Sequence, residues 1–242
     1  MKMLKKLLNF FLSLRTAIWL MLALVLMLLF GSVIMPGRPE FSSMNSMPLF
    51  DWLTENNIGI TWWLYGSIAL ISLLTASTLI CSIESLIRKQ EYKRWLLIIA
   101  PQVIHIGFLF ILLAHLLSST GSFRENVAVR EDSLLMLPNN LTLKVKDIRI
   151  DVNPSGYISD WAANVEYLSG SEKIREDFIK PNSPSFYRGL GIYLKDVQAY
   201  PVKAVLLEIS REPGAFWALI GAVFFMVGTI TLLLLKITRE AY

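Results

Sequence analysis

Four stretches of the chain are dominated by hydrocarbon side chains: residues 17–35, 61–83, 95–118 and 214–236. Each is as long as the roughly 18 apolar residues that a membrane-crossing helix requires. Outside them the pattern changes in two ways. Residues 1–16 set Leu4, Leu7, Leu8, Phe11 and Leu14 at helical spacing among lysines. That spacing predicts an amphipathic segment, which either lies in the membrane plane or starts a long first helix. Residues 119–213 turn to charges of mixed sign and to period-two alternation.

The alternation predicts strands. Leu141, Leu143 and Val145 share one parity, and Ile148, Ile150 and Val152 share the other. A strand cannot change its apolar face without an inserted residue, so a bulge is expected near Lys146-Asp147. Asn153-Pro154-Ser155-Gly156 is a turn, and Trp161, Ala163, Val165 and Tyr167 alternate beyond it. A second turn at Ser169-Gly170-Ser171-Glu172 leads to strands over 173–180, 191–197 and 202–210. The expectation is one small antiparallel β domain, a sandwich or a partial barrel. The loop 36–60 contains SMPLFDWLTENNIG. Ser46 is placed to cap a short helix with Pro48 in its first turn. Leu49, Phe50, Trp52 and Leu53 would then rest at the membrane surface. Trp62 and Trp63 read as an interfacial anchor or a cofactor contact.

Charge orients this layout. Hydrophobic residues make up 54% of the chain, mean hydropathy is +0.52 and net charge is +4. Lys2, Lys5, Lys6 and Arg15 lie at the first stretch; Arg88, Lys89, Lys93 and Arg94 fall in the loop 84–94; Lys236 and Arg239 end the fourth stretch. Loop 36–60 holds only Arg38. Basic loops mark the cytoplasmic side. Both termini, including the tail 237–242, are therefore expected inside, and the β domain is expected on the periplasmic, extracytoplasmic face. Val33-Ile34-Met35-Pro36 lacks the small residues of a cleavage site, so the first stretch reads as an uncleaved anchor. The near balance of charge in the β domain argues against a nucleic-acid partner. Cys81 is the one cysteine, which excludes an internal disulfide and a self-contained thiol oxidoreductase.

Candidate chemistry sits in the third stretch. The β domain has neither His nor Cys, and Asp147, Asp151 and Asp160 are scattered along it. Both histidines of the chain, His105 and His115, lie in the apolar run 95–118. An imidazole there either bonds a neighbouring helix or serves a ligand. Ten residues of helix separate the two by about 15 Å and turn them some 80° apart. They cannot hold the same iron, and act, if both act, as separate stations. Gly107 removes a side chain and admits either another helix or a flat ligand. No nucleophile–base pair is present.

Several stretches together resemble ResB-type cytochrome c biogenesis proteins. LSLRTAIWLMLALVLMLLFGSVIMP resembles the opening span of that family, and the run from Thr61-Trp62-Trp63 to Cys81 its second. VIHIGFLFILLAHLLSSTGSF is similar to the third span, PNSPSFYRGLGIYLKDV to the end of the outer domain, and REPGAFWALIGAVFFMVGTITLLL to the last span. The resemblance implies System II haem handling in the inner (cytoplasmic) membrane. There, a CcsA-like membrane subunit is the partner, haem b the group moved and apocytochrome c the recipient. It implies that His105 is an axial haem ligand, and carries nothing over to His115. It also implies an accessory rather than a catalytic subunit of a haem lyase complex. The tryptophan-rich presenting motif belongs to the CcsA-like partner, and Trp62-Trp63 is not that motif. The outer domain here is also shorter than the family's usual one. Two other readings stay open: a membrane subunit that keeps b haem for electron transfer, and a structural anchor without a cofactor.

Overall fold

The computed structural model describes residues 2–88, 95–138, 140–170 and 172–240. Residues 89–94 of the basic loop, Ser171 of the second expected turn and the last two residues of the tail lie outside them. The chain divides into two compact units.

The first unit is helical. It comprises α1 (Lys2–Phe11), α2 (Leu14–Ile34), α3 (Leu49–Glu55), α4 (Ile58–Arg88), α5 (Trp95–Gly121) and α6 (Ala215–Glu240), with 3-10 turns at Met35–Gly37 and Pro39–Ser43. Four of them, α2, α4, α5 and α6, are long and apolar enough to cross a membrane, as the hydropathy pattern predicts. α1 is a helix of its own, because Ser13 takes extended backbone between it and α2. The Ser77 hydroxyl on α4 donates to Phe11 O at 2.6 Å and ties down the end of α1.

Small residues decide which helices pair. On α5, Ala100, Gly107, Ala114 and Gly121 recur every seventh position. Gly214, Gly221 and Gly228 recur at the same interval at the start of α6 and along it. The two stripes meet. A Cβ on Gly107 would stand 2.5 Å from Phe225 N, and one on Gly221 would stand 2.7 Å from Gly107 O. A Cβ on Gly214 would stand 2.1 Å from Ala114 O. Backbone therefore packs on backbone along most of α5, the close approach that small residues permit between apolar helices. A seven-residue period keeps such a seam in register over several turns.

The second helix pair, α2 with α4, uses one glycine differently. Gly31 leaves room for the indole of Trp63, whose ring atoms lie 2.3–2.5 Å from where a Cβ would be. Trp63 is accordingly buried, while Trp62 is exposed beside Phe30. Only Trp62 has the exposure an interfacial anchor needs. The loop after α2 also differs from expectation. Pro48, not Ser46, stands at the N-cap of α3, and its carbonyl accepts the Trp52 N–H at 3.0 Å. Trp52 and Leu53 do not rest on a membrane surface; they are buried in protein. Trp52 packs against Phe41, the rings tilted by 33°, and donates from Nε1 to Glu40 O and Ser43 Oγ, both at 3.3 Å.

The second unit contains residues 122–212 and Asn45–Met47. It is a sandwich of two four-stranded antiparallel sheets. One runs β1 (Phe123–Arg130), β8 (Ala204–Arg211), β7 (Leu190–Gln198), β6 (Ser185–Tyr187). The other runs β2 (Leu134–Leu137), β3 (Leu141–Val152), β4 (Ile158–Ser169), β5 (Glu172–Ile179). Alternate residues of both sheets fill one core, including Leu143, Val145, Val165, Ile192 and Leu207. The bulge falls between Val145 and Asp147, so Val145 and Ile148 both point inward. A second irregularity, between Asp151 and Val152, leaves Val152 exposed rather than on the apolar face. β8 starts at Ala204, two residues later than the sequence suggests, because Val202 stays in the turn that follows the cis bond Tyr200-Pro201.

Candidate functional site

Within the helical unit α5 carries both imidazoles, and its contact with α6 sets where they face. Gly107 is pressed against α6, so the space it opens is taken by a helix backbone. His105, two residues earlier, lies about 200° around the same helix. It is turned toward α4. There its Nδ1 lies 2.9 Å from the hydroxyl oxygen of Ser82. His105 is half-buried, and Nε2 has no hydrogen-bond partner among the described residues. When Nδ1–H donates to Ser82 Oγ, the Nε2 lone pair is free for a metal. That arrangement fixes both the tautomer and the plane of the ring. Gln102, one turn away on α5, is buried with its Oε1 unpartnered.

Nothing in the spacing of residues points to Ser82. It is 23 positions from His105 and meets it only once α4 and α5 lie antiparallel. Cys81 is half-buried beside it in the chain.

His115 is exposed and lines a groove of about 430 Å3 between α4, α5 and Phe50 of α3. The structure thus brings both histidines to the α4 side of α5, at two levels, and does not bring them together. Among the described residues no three His, Cys, Asp or Glu side chains converge as a metal site.

The β unit holds polar networks. Tyr167 Oη and Ser185 Oγ are 2.7 Å apart, Ser185 Oγ also bonds Asp177, and Arg175 closes on Asp177 at 2.9 Å. Burial pushes the Tyr167 phenol above its usual range. On β3–β5, Lys146 and Lys173 reach Glu166 at 3.1 and 3.0 Å, and both also reach Glu176. Asp147 pairs with Arg149 and Asp160 with Lys180, which leaves these carboxylates as separate surface groups.

Comparison with known proteins adds to this geometry. A family model described as ResB-like family matches residues 96–205, the stretch that contains both histidines. The chain is 25% identical over 257 aligned positions to "Cytochrome c biogenesis protein Ccs1" of Rhodomonas salina, covering 76% of this chain and 58% of that protein. It is 20% identical over 124 residues to "Cytochrome c biogenesis protein CcsB" of Synechococcus sp. (strain JA-3-3Ab), covering 47% of this chain and 25% of that protein. The chain therefore spans between a quarter and three fifths of the length of these relatives. Among solved structures, "Cytochrome c Heme Lyase CcmF" is similar over 91% of this chain and 35% of its own, at 16% identity and a TM-score of 0.46.

Proposed function

We propose that this chain, a ResB-like multi-pass membrane protein, is the haem-handling subunit of a System II cytochrome c synthase. It helps a CcsA-like subunit carry haem b across the inner membrane and present it for attachment to apocytochrome c. The observation that carries the reading is the His105–Ser82 pair, a half-buried imidazole oriented through Nδ1 at the level of membrane-spanning helices. One imidazole with no converging co-ligands among the described residues suits a metal that arrives already held on four sides, as iron in a porphyrin is.

His105 Nε2 is the atom that would take the iron, and Ser82 Oγ would accept the Nδ1 proton. The haem would be the cargo that this nitrogen holds. The other axial ligand is assigned to the CcsA-like partner. Neutral imidazole is the ligating form. The β unit, with its surface networks of Lys, Arg, Asp and Glu, is assigned to docking the partner or apocytochrome on the periplasmic side.

The test is the absorption spectrum of the chain purified with its CcsA-like partner. The complex is expected to show a haem Soret band that His105→Ala removes. Equal haem content in the variant would sink the assignment.

A further inference from the structure

We infer that the open edge of β7 beside Leu194 takes an extended, acidic polypeptide segment as an added strand. The inference sharpens the docking role proposed for the β unit and rests on that role. The haem reading of His105 does not enter it.

Three observations carry it. The first is a break in the sheet. β7 runs from Leu190 to Gln198, but β6 pairs only with Leu190, Gly191 and Ile192. From Tyr193 onward β7 has β8 on one side and, among the described residues, no strand on the other. The sequence makes that break. Pro184 cannot donate to a ladder. Ser183, which a longer β6 would set opposite Leu194, is turned back on Lys180. Its N–H donates to Lys180 O at 3.0 Å, and Lys180 N–H donates to Ser183 O at 3.2 Å.

The second observation is the direction of the Leu194 backbone. Arg188 and Gly189 both have positive φ, as in the two-residue hairpin turn that bonds Leu190 N–H to Tyr187 O. Along a strand, alternate residues turn their N–H and C=O to the same side. Leu190, Ile192 and Leu194 therefore present theirs on the β6 side, and the register shift comes only after Leu194. Leu194 is buried, and those two groups have no hydrogen-bond partner among the described residues. Buried backbone groups are seldom left unpaired. Further along, Val197 N–H is already taken by Asp196 Oδ1 at 2.8 Å, so Leu194 is the open pair.

The third observation is the cleft at that pair. It holds about 470 Å3 and is lined by Leu194, by Asn182 and Tyr193, and by two cations, Lys180 and Lys195. Lys180 reaches Asp160 at 3.5 Å; Lys195 reaches Glu208 at 3.3 Å, which Arg124 shares at 3.8 Å. Ion pairs as exposed as these are weak, so an incoming carboxylate can compete for both lysines. A small anion would meet the lysines and leave the Leu194 backbone unpaired. A second copy of this edge would set lysine against lysine. An acidic strand satisfies both the backbone pair and the charge.

The test is fluorescence anisotropy of a labelled peptide of alternating glutamate and valine, titrated with the full chain in lipid nanodiscs. Binding is expected to saturate at one equivalent and to slow amide hydrogen exchange in segment 191–198. N-methylation of the peptide backbone removes its donors and keeps its charge, and is expected to weaken binding about tenfold or more. The double variant Lys180→Glu/Lys195→Glu, altered only at half-exposed side chains, is expected to do the same. Binding that survives N-methylation or the double variant overturns the inference, as does unchanged exchange in 191–198 or no binding above empty discs. Equal protection by free glutamate would make the cleft an anion site and also overturn it. So would protection without peptide that grows with chain concentration, the mark of a contact between copies. Reduced, unfolded apocytochrome c separates the inference from the docking role. If it binds and protects other strands of the β unit, the docking role stands and the β7 edge is rejected. If the acidic peptide protects 191–198 and apocytochrome c does not bind, the edge stands and apocytochrome c is not its partner.

Discussion

At the scale of single residues, the hydrogen bond between Ser82 and His105 is the contact most open to test. Removing an outer partner of a ligating histidine typically weakens metal affinity about 10–100-fold. Ser82→Ala is expected to lower haem affinity in that range while His105 is still present, and Ser82→Thr to restore much of it. Titration of the purified complex checks this; equal affinity in all three forms would make the serine a packing residue. His105 itself is legible in the sequence, because an imidazole in a hydrocarbon run is conspicuous. Its partner is not, since serine is common in α4 and the pairing exists only in the folded helix pair. Trp63 shows the opposite failure. An indole at the start of a span suggests an interface, but Gly31 opens a slot on α2 and the ring is buried there.

At the scale of elements, the α5–α6 seam makes a sharp prediction. Gly221→Val would drive branched carbons into the backbone of α5. Overpacking of this kind costs about 1–3 kcal/mol, more where backbone must move. A lower thermal midpoint in detergent, read by circular dichroism, is the expected result. Gly37→Ala is the control, because a Cβ there meets nothing within 4 Å. If both variants melt together, the seam does not hold the pair. The helices and the Lys146 bulge were readable because each follows from a strict period. β1, β2 and the three-residue β6 were not. Arg124 and Glu125 break the alternation in the edge strand β1, and the edge strands β2 and β6 are four and three residues long, too short for a period to show.

At the scale of the whole molecule, composition separates a lipid-soluble unit from a water-soluble one, and each obeys its own solvent. In the β unit, hydrogen bonds from Lys173 hold the Glu166 and Glu176 carboxyls below their usual range. Hydrogen bonds to Glu166 and Glu176 raise Lys146 and Lys173, respectively. The depressed carboxylates stabilise the fold above the unfolded carboxylate range and lose that effect as pH falls through their folded values. The raised lysines stabilise it below the unfolded lysine range and lose that effect as pH rises through theirs. A stability plateau between the two ranges is expected, with a smaller acid-side loss in Lys146→Met/Lys173→Met. Because Lys146 and Lys173 are about half exposed, salt should flatten the profile. Melting curves across pH at low and high salt check it; a profile identical in the double variant would remove the network as the cause. The composition shift does not disclose that Asn45–Met47 belong with the β unit. Asn45 O accepts the Arg124 N–H at 2.8 Å, a pairing across almost eighty residues of chain.

The strands that open and close the β unit are neighbours, with Phe123 opposite Arg211. In the helical unit the flanking residues also meet, a Cβ on Gly121 standing 3.4 Å from the ring of Pro213. A segment whose two ends lie side by side behaves as a graft on a hairpin. Such a segment can be enlarged, trimmed or exchanged over evolutionary time while the helices that flank it in the chain keep their own pairing. Insertions or deletions inside the β unit then leave the meeting of its two end strands intact.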